Sequence, residues 1–268
     1  MIRSFSLALC IFFLGCSHAP ETGRTQLIML SSSQEIALGH EAFAEVLKKE
    51  KIVSSGEEYE MVQEVGEKVA LAASRLYPNA VRGYNWRFAL IKDKDMVNAW
   101  ALPGGKCAVY TGLLPIAKNK DGLAIVMAHE VAHVIARHGA ERASHGMVGA
   151  AVVAGIAMAD MNKRDQSVVL GAYGLGVALP FSRTQETEAD QLGLYIAADA
   201  GFDPRQAIPL WKRMGTENKG APPEFMSTHP SSKTRIQQLR RWMPKAMLYY
   251  DTAIAHEDAL QTNNKPKN

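Results

Sequence analysis

Residues 121–135 read DGLAIVMAHEVAHVI, and the rest of the chain is best read outward from this stretch. Leu123 to Met127 are apolar without a break, Val131 and Val134 continue the run, and the charged or titratable residues inside it are His129, Glu130 and His133. A helix here, opened by Asp121 as its cap, is apolar on all sides and has to be buried. Residues four apart on a helix share a face with Cβ atoms about 5 to 6 Å apart, so His129 and His133 can aim ring nitrogens at one ion. Glu130 is turned by about 100° from His129, beside such an ion rather than on it, where a carboxylate can hold a water. Buried imidazoles and a buried carboxylate need partners, and a metal supplies them. The expected cofactor is one Zn2+ per chain, and catalytic zinc takes three protein ligands with one position left open.

The third ligand has to come from elsewhere. A metzincin would carry Gly three residues after His133 and His three residues beyond, but those positions hold Ala136 and Gly139. On a continued helix His138 sits almost opposite His129, as a surface or packing residue. The better candidate is Glu186 in the run Glu186-Thr187-Glu188-Ala189-Asp190. Glu186, Ala189, Asp190 and Gly193 share one helical face, and the two small residues let that helix approach the first one closely. Glu188 points away from that face. Asp190, one turn after Glu186, is placed to accept the remaining N–H of a ligand histidine.

Upstream, Ile36, Phe43, Val46 and Leu47 form one helical stripe, and Tyr59, Val62, Val65, Val69 and Leu76 form a second that Pro78 stops. Trp86, Phe88 and Leu90 alternate as in a half-buried strand. Met96–Leu102 and Lys106–Thr111 read as two more, joined by a tight turn at Pro103-Gly104-Gly105, which predicts an antiparallel meander. Downstream, the uncharged Ala/Gly-rich runs 143–159 and 167–181 predict a helical hairpin packed on the body, each run being shorter than the about 20 residues that span a membrane. Ser182 and Gln185 form a capping-box pattern, Asp203-Pro204 opens a further helix, and a basic helix runs to about Trp242.

At the other end, Arg3, an apolar run from Phe5 to Leu14 and then Gly15-Cys16 have the layout of an export signal. Phe13-Leu14-Gly15-Cys16 resembles a lipobox with Phe in place of the usual Leu. The expected organisation is a signal peptide at 1–15, lipid on Cys16, a tether at 16–33, a metallopeptidase domain at 34–248 and a polar tail at 249–268. That implies a periplasmic protein anchored through Cys16, by its Ser17 to an outer membrane. Thirty basic against 27 acidic residues leave no concentrated field for nucleic acid, which is excluded as a partner. Cys107, in a strand, reads as a small buried hydrophobe.

Four blocks, NAWALPGG at 98–105, HEVAH at 129–133, FSRTQETEAD at 181–190 and STHPSSKTR at 227–235, resemble the gluzincin peptidases that include CaaX prenyl proteases, HtpX and BepA-like periplasmic lipoproteins. The last block looks particularly like that of the mitochondrial inner-membrane overlapping-activity protease. The resemblance implies an α+β, zincin-like domain, mostly helical with a small antiparallel sheet and the Ala/Gly-rich hairpin. It also implies that Glu186 ligates zinc and that Asn98 and Ala99 lie on an edge strand that pairs with substrate backbone. His229 either stabilises an oxyanion, occupies the open zinc position or is an ordinary turn residue before Pro230, and Arg235 is a candidate partner of a site carboxylate. The expected function is a zinc endopeptidase acting on misfolded or unassembled envelope proteins, with Glu130 as the base that takes the proton of a zinc-bound water. The alternative is a non-enzymatic zinc-containing chaperone or assembly factor with envelope partners. Glu130 separates the two, since a structural zinc has no use for a carboxylate beside its first ligand.

Overall fold

Every residue from Gly122 to Ile135 is buried, as a helix apolar on all sides requires. The computed structural model describes residues 16–158, 182–216, 224–229 and 234–263. In chain order these form β1 (Cys16–His18), β2 (Thr25–Leu27), α1 (Ser32–Lys49), β3 (Ile52–Val53), α2 (Glu57–Leu76), β4 (Arg87–Ile91), β5 (Ala99–Leu102), β6 (Lys106–Tyr110), α3 (Leu114–Ala117), α4 (Lys120–Ile135), α5 (His138–Met158), α6 (Arg183–Asp199), α7 (Ala207–Thr216), α8 (Glu224–Thr228) and α9 (Arg235–Asn263). The chain is α+β and mostly helical, with α4 at its centre. Asn119 caps α4, its Oδ1 accepting from the Gly122 N–H at 2.9 Å. Asp121 instead sits in the first turn and accepts from the Asp203 N–H at 3.0 Å, tying α4 to the chain before α7.

Helix α6 crosses α4 with almost nothing between the backbones. A Cβ on Gly193 would stand 2.8 Å from the N and Cα of His129, and Ala189 beside it is fully buried. Behind α6 lies α9, where Tyr249 meets the Tyr195 ring at 5.6 Å. On the flank of α4 lies α2, which contributes Val62, Val65 and Val69 to the same core. Gly66 of α2 gives the Phe88 ring of β4 room to lie against the helix.

The sheet has the order β3-β4-β6-β5, and it is not the meander that the strand sequence predicts. β5 and β6 are antiparallel, joined through Gly104 and Gly105 at φ 84° and 77°, but β6 then inserts beside β4 and runs parallel to it. The link at 92–98 makes this possible. Asp93 Oδ1 accepts from the N–H groups of Asp95 and Met96, turning the chain, and the Gly112 N–H donates to the Asp93 carbonyl, pinning the link over the end of β6. β5 is left at the sheet edge and packs against α4. Cys107 is buried in β6, where desolvation pushes its thiol well up.

The stretch 16–33 contains structure rather than a bare tether. β1 and β2 pair antiparallel, with Cys16 opposite Leu27, and Gln26 is buried. At the other end α9 continues past Trp242, through Pro244, to Asn263, so most of the expected tail is helical. α5 covers the first Ala/Gly run as far as Met158. The second run, 167–181, and the signal segment 1–15 lie outside the described residues. No described helix is long and apolar enough to cross a membrane.

The crossing sets a measurable cost. Gly193→Ala should lower stability by about 1–3 kcal/mol, the usual penalty for overpacking, because backbone rather than a flexible side chain must move. Thermal unfolding would register this as a lower Tm, and an unchanged Tm would mean that the two helices can part freely.

Candidate metal centre

His129 and His133 project from one face of α4 toward Glu186 in the first turn of α6. His229, immediately after α8, closes the group, and one ligand atom from each of the four lies within 4.8 Å of the others. His129 Nε2 is 3.2 Å from His133 Nε2 and 3.4 Å from His229 Nδ1. Glu186 Oε1 is 3.3 Å from His133 Nε2 and 2.9 Å from His229 Nδ1, and Glu186 Oε2 is 3.6 Å from His129 Nε2. All four residues are buried.

These residues fit a zinc ion on two counts. Ligand atoms at about 2.0–2.2 Å from a tetrahedral ion stand roughly 3.3 Å from one another, the spacing that these contacts straddle. Charge gives the second count. Glu186 and Asp190 are buried carboxylates sharing one guanidinium, that of Arg235, which leaves a net negative charge for a cation held among the histidines to neutralise.

These side chains have neighbours of their own. His129 Nδ1 lies 3.1 Å from Asp190 Oδ1. Arg235 donates from Nε to Asp190 at 2.6 Å and from Nη2 to Glu186 at 2.7 Å, while its guanidinium stacks 3.9 Å from the Trp211 ring centre. Burial opposes ionisation of Glu186, but its contacts with His129, His133 and His229 outweigh it and hold the carboxyl far below the usual carboxylate range. Glu130 is different. Burial pushes its carboxyl up, with His229 and His129 pulling the other way, and its Oε1 makes no hydrogen bond among the described residues. That oxygen is 3.6 Å from His229 Nε2, beside the ligand set and outside it. Phe225 stacks on His229 at 4.5 Å and its N–H donates to the Val97 carbonyl at 3.2 Å, so α8 lies over the approach to β5. Asn98 precedes that strand, its Oδ1 accepting from the Ala99 N–H at 2.9 Å, and Ala99 is buried.

His138 is not a surface residue. Its side chain is fully buried, with Nδ1 2.9 Å from His133 Nδ1 and Nε2 3.0 Å from Glu188 Oε2. The helix breaks just before it: α4 ends at Ile135, and Arg137 adopts φ 55°, so the spacing from His129 no longer places His138 on the far side. Glu188 points away from the four ligands, as its position on the helix requires, and meets Arg24 of the N-terminal hairpin at 2.9 Å. Arg24 also donates to Glu141 at 2.8 Å, where Gln185 and Gln26 join at 2.8 and 3.1 Å. The one sequence clue to this cluster is Glu188 itself, an acidic residue on the side of the helix away from the Glu186 face.

The fold and this site define a zinc metallopeptidase. The profile of peptidase family M48 matches residues 57–243, and the chain belongs to that family. It is 42% identical over 176 residues to the mitochondrial metalloendopeptidase OMA1 of Schizosaccharomyces pombe, covering 65% of this chain and 51% of the relative. Against the mitochondrial metalloendopeptidase OMA1 of Saccharomyces cerevisiae it is 30% identical over 264 residues, 91% of this chain and 76% of the relative. The beta-barrel assembly-enhancing protease of Yersinia pestis matches at 25% over 233 residues, 82% of this chain and 46% of the relative. The chain thus spans about half the length of several curated relatives. The mitochondrial relatives overturn the expected address. They contradict a periplasmic outer-membrane lipoprotein with a signal peptide and a lipid on Cys16, and they lend the envelope partners no support.

Two outcomes follow for the metal and the clamp around it. Glu186→Ala should cost at least the 10- to 100-fold in zinc affinity that loss of a mere supporting group costs, read by chelator competition. Retention of the parental affinity would exclude Glu186 as a ligand. Burial disfavours ionisation of Glu141 and Glu188, but Arg24 with Gln185 and Gln26 on the first, and His138, Arg24 and Thr22 on the second, hold both down to about 2 from an ordinary 4.5. A depressed folded-state pKa stabilises above the unfolded value, so this contribution is complete above about pH 4.5 and is lost as the pH falls toward about 2. Melting curves of the parent and Arg24→Gln should therefore differ most near neutrality and converge through that window. A constant difference would contradict the linkage.

Proposed function

We propose that the chain is a zinc-dependent endopeptidase acting on extended segments of misfolded or unassembled proteins. The observation that supports it most is Glu130, a buried carboxylate beside four side chains able to hold a metal, with an oxygen that makes no hydrogen bond among the described residues. Zinc, when bound, supplies Lewis acidity toward a water and a peptide carbonyl. The chain supplies the proton handling. Glu130 takes a proton from the attacking water and delivers it to the departing amine, a double task suited to a carboxyl whose pKa burial has raised. His229 Nε2 lies 3.6 Å from that carboxylate, beyond direct hydrogen-bond reach.

The substrate class comes from β5. It is the edge of the sheet, packed on α4, so a peptide laid along Ala99–Leu102 would be held by main-chain hydrogen bonds and pass the metal centre. Main-chain recognition favours unfolded segments over a defined sequence. Such a peptide has to displace α8, whose Phe225 now uses the Val97 carbonyl.

Glu130→Gln should keep zinc, since Glu130 is not a ligand, and keep the fold, since the amide is nearly isosteric. Loss of a general base costs about 10² to 10⁴ in rate, and here the same group also acts as the acid. Cleavage of an unfolded test protein such as casein should therefore disappear while zinc content is unchanged. Cleavage at the parental rate by a zinc-loaded variant would remove Glu130 from the mechanism.

A further inference from the structure

The third carboxylate of the Glu186–Asp190 run has no place in the mechanism so far, and neither has the buried histidine it meets. A zinc ligand that binds through Nε2 carries its proton on Nδ1 and must donate it. For His133 the acceptor at 2.9 Å is His138 Nδ1, which therefore holds a lone pair, so the His138 proton is on Nε2, 3.0 Å from Glu188 Oε2. With zinc on His133 Nε2, the direction of each hydrogen along His133, His138 and Glu188 follows from this. Its outer end is anchored: Glu188 accepts from Arg24 Nε and Nη2, both at 2.9 Å, and from Thr22 Oγ1 at 2.6 Å, all from the hairpin β1–β2.

We propose that His138 is a positioning residue of the metal centre, fixing the tautomer and ring orientation of His133, with Glu188 and the N-terminal hairpin holding His138 in place. This rests on the reading of His133 as a zinc ligand. Geometry argues against mere core filling. A helix running straight on from α4 would point His138 away. It faces His133 only because Arg137 takes a left-handed conformation uncommon for a residue with a side chain. Arg137 is held there by Glu35 through Nε at 2.9 Å and by the Leu30 carbonyl at 2.7 Å. The two histidines of α4 are thus met from α6 in different ways, Asp190 Oδ1 standing 3.1 Å from His129 Nδ1 and Glu188 reaching His133 through a second imidazole.

The test uses the zinc-loaded full chain, with zinc affinity from chelator competition and imidazole protonation from long-range 15N–1H spectra. The parent should show His133 protonated on Nδ1 and His138 on Nε2 alone. His138→Phe, which fills the space but offers no lone pair, should weaken zinc by about 10- to 100-fold. His138→Gln, whose amide can accept from one side and donate to the other, should recover part of that loss. The melting temperature of each metal-free variant, measured alongside, separates a loss of folding from a loss of orientation. Parental zinc affinity in a folded His138→Phe chain, or a proton on Nδ1 of His138 in the parent, would overturn the proposal. Absence of zinc binding by the parent itself would instead overturn the zinc reading on which it rests.

Discussion

The near-contact of α6 with α4 at Gly193 is the constraint from which the site follows. With 2.8 Å between a notional Cβ and the His129 backbone, the two helices are as close as main chains allow. Residues spaced along one face of α6 then fall into fixed places along α4: Asp190 against His129, and Glu186 between the two histidines. A bulkier residue at 189 or 193 would move every carboxylate of that face outward together, since they share one rigid helix. Precision in the ligand set comes from helix packing, with loops contributing His229 alone.

Burying so much charge needs compensation that is specific in sign and place. Arg235 lies across the outer side of Glu186 and Asp190, stacked on Trp211, and leaves the inner side of Glu186 to the imidazoles. The guanidinium thus orients the carboxylate without competing for its ligand oxygen. A second charge cluster on the far side of α6, made of Glu141, Glu188 and Arg24 and joined to His133 only through His138 among the described contacts, binds the N-terminal hairpin to α5 and α6. Arg24 serves two carboxylates at once, so removing it would leave Glu141 to Gln185 and Gln26, and Glu188 to His138 and Thr22, without the guanidinium between them.

What could be read from the sequence was whatever depends on spacing within one helix. The placement of His129, Glu130 and His133, the shared face of Glu186, Ala189, Asp190 and Gly193, and the capping box at Ser182 and Gln185 all need only a helical period. What could not be read depends on partners far away in the chain or on a break in that period. The hairpin at 16–27 looked like a tether because the groups that hold Arg24 stand more than a hundred residues away. His138 was placed on the wrong side because nothing in the residue type of Arg137 announces a left-handed turn. The parallel pairing of β4 with β6 depends on the Asp93 turn, which reverses no hydrophobic alternation and so leaves no trace in the pattern. The basic helix, expected to run to about Trp242, continues as α9 to Asn263, with Pro244 accommodated inside a helix that packs on α6.

X-ray absorption at the zinc edge of the purified full chain tests the central claim most directly, because it reads the ligand shell itself. Imidazole and carboxylate ligation predicts a shell of nitrogen and oxygen at about 2.0–2.2 Å, with the outer scattering of at least two imidazole rings and no sulfur. A sulfur shell near about 2.3 Å, or a shell without imidazole scattering, would contradict the assignment of the metal to His129, His133 and Glu186 at the α4–α6 crossing.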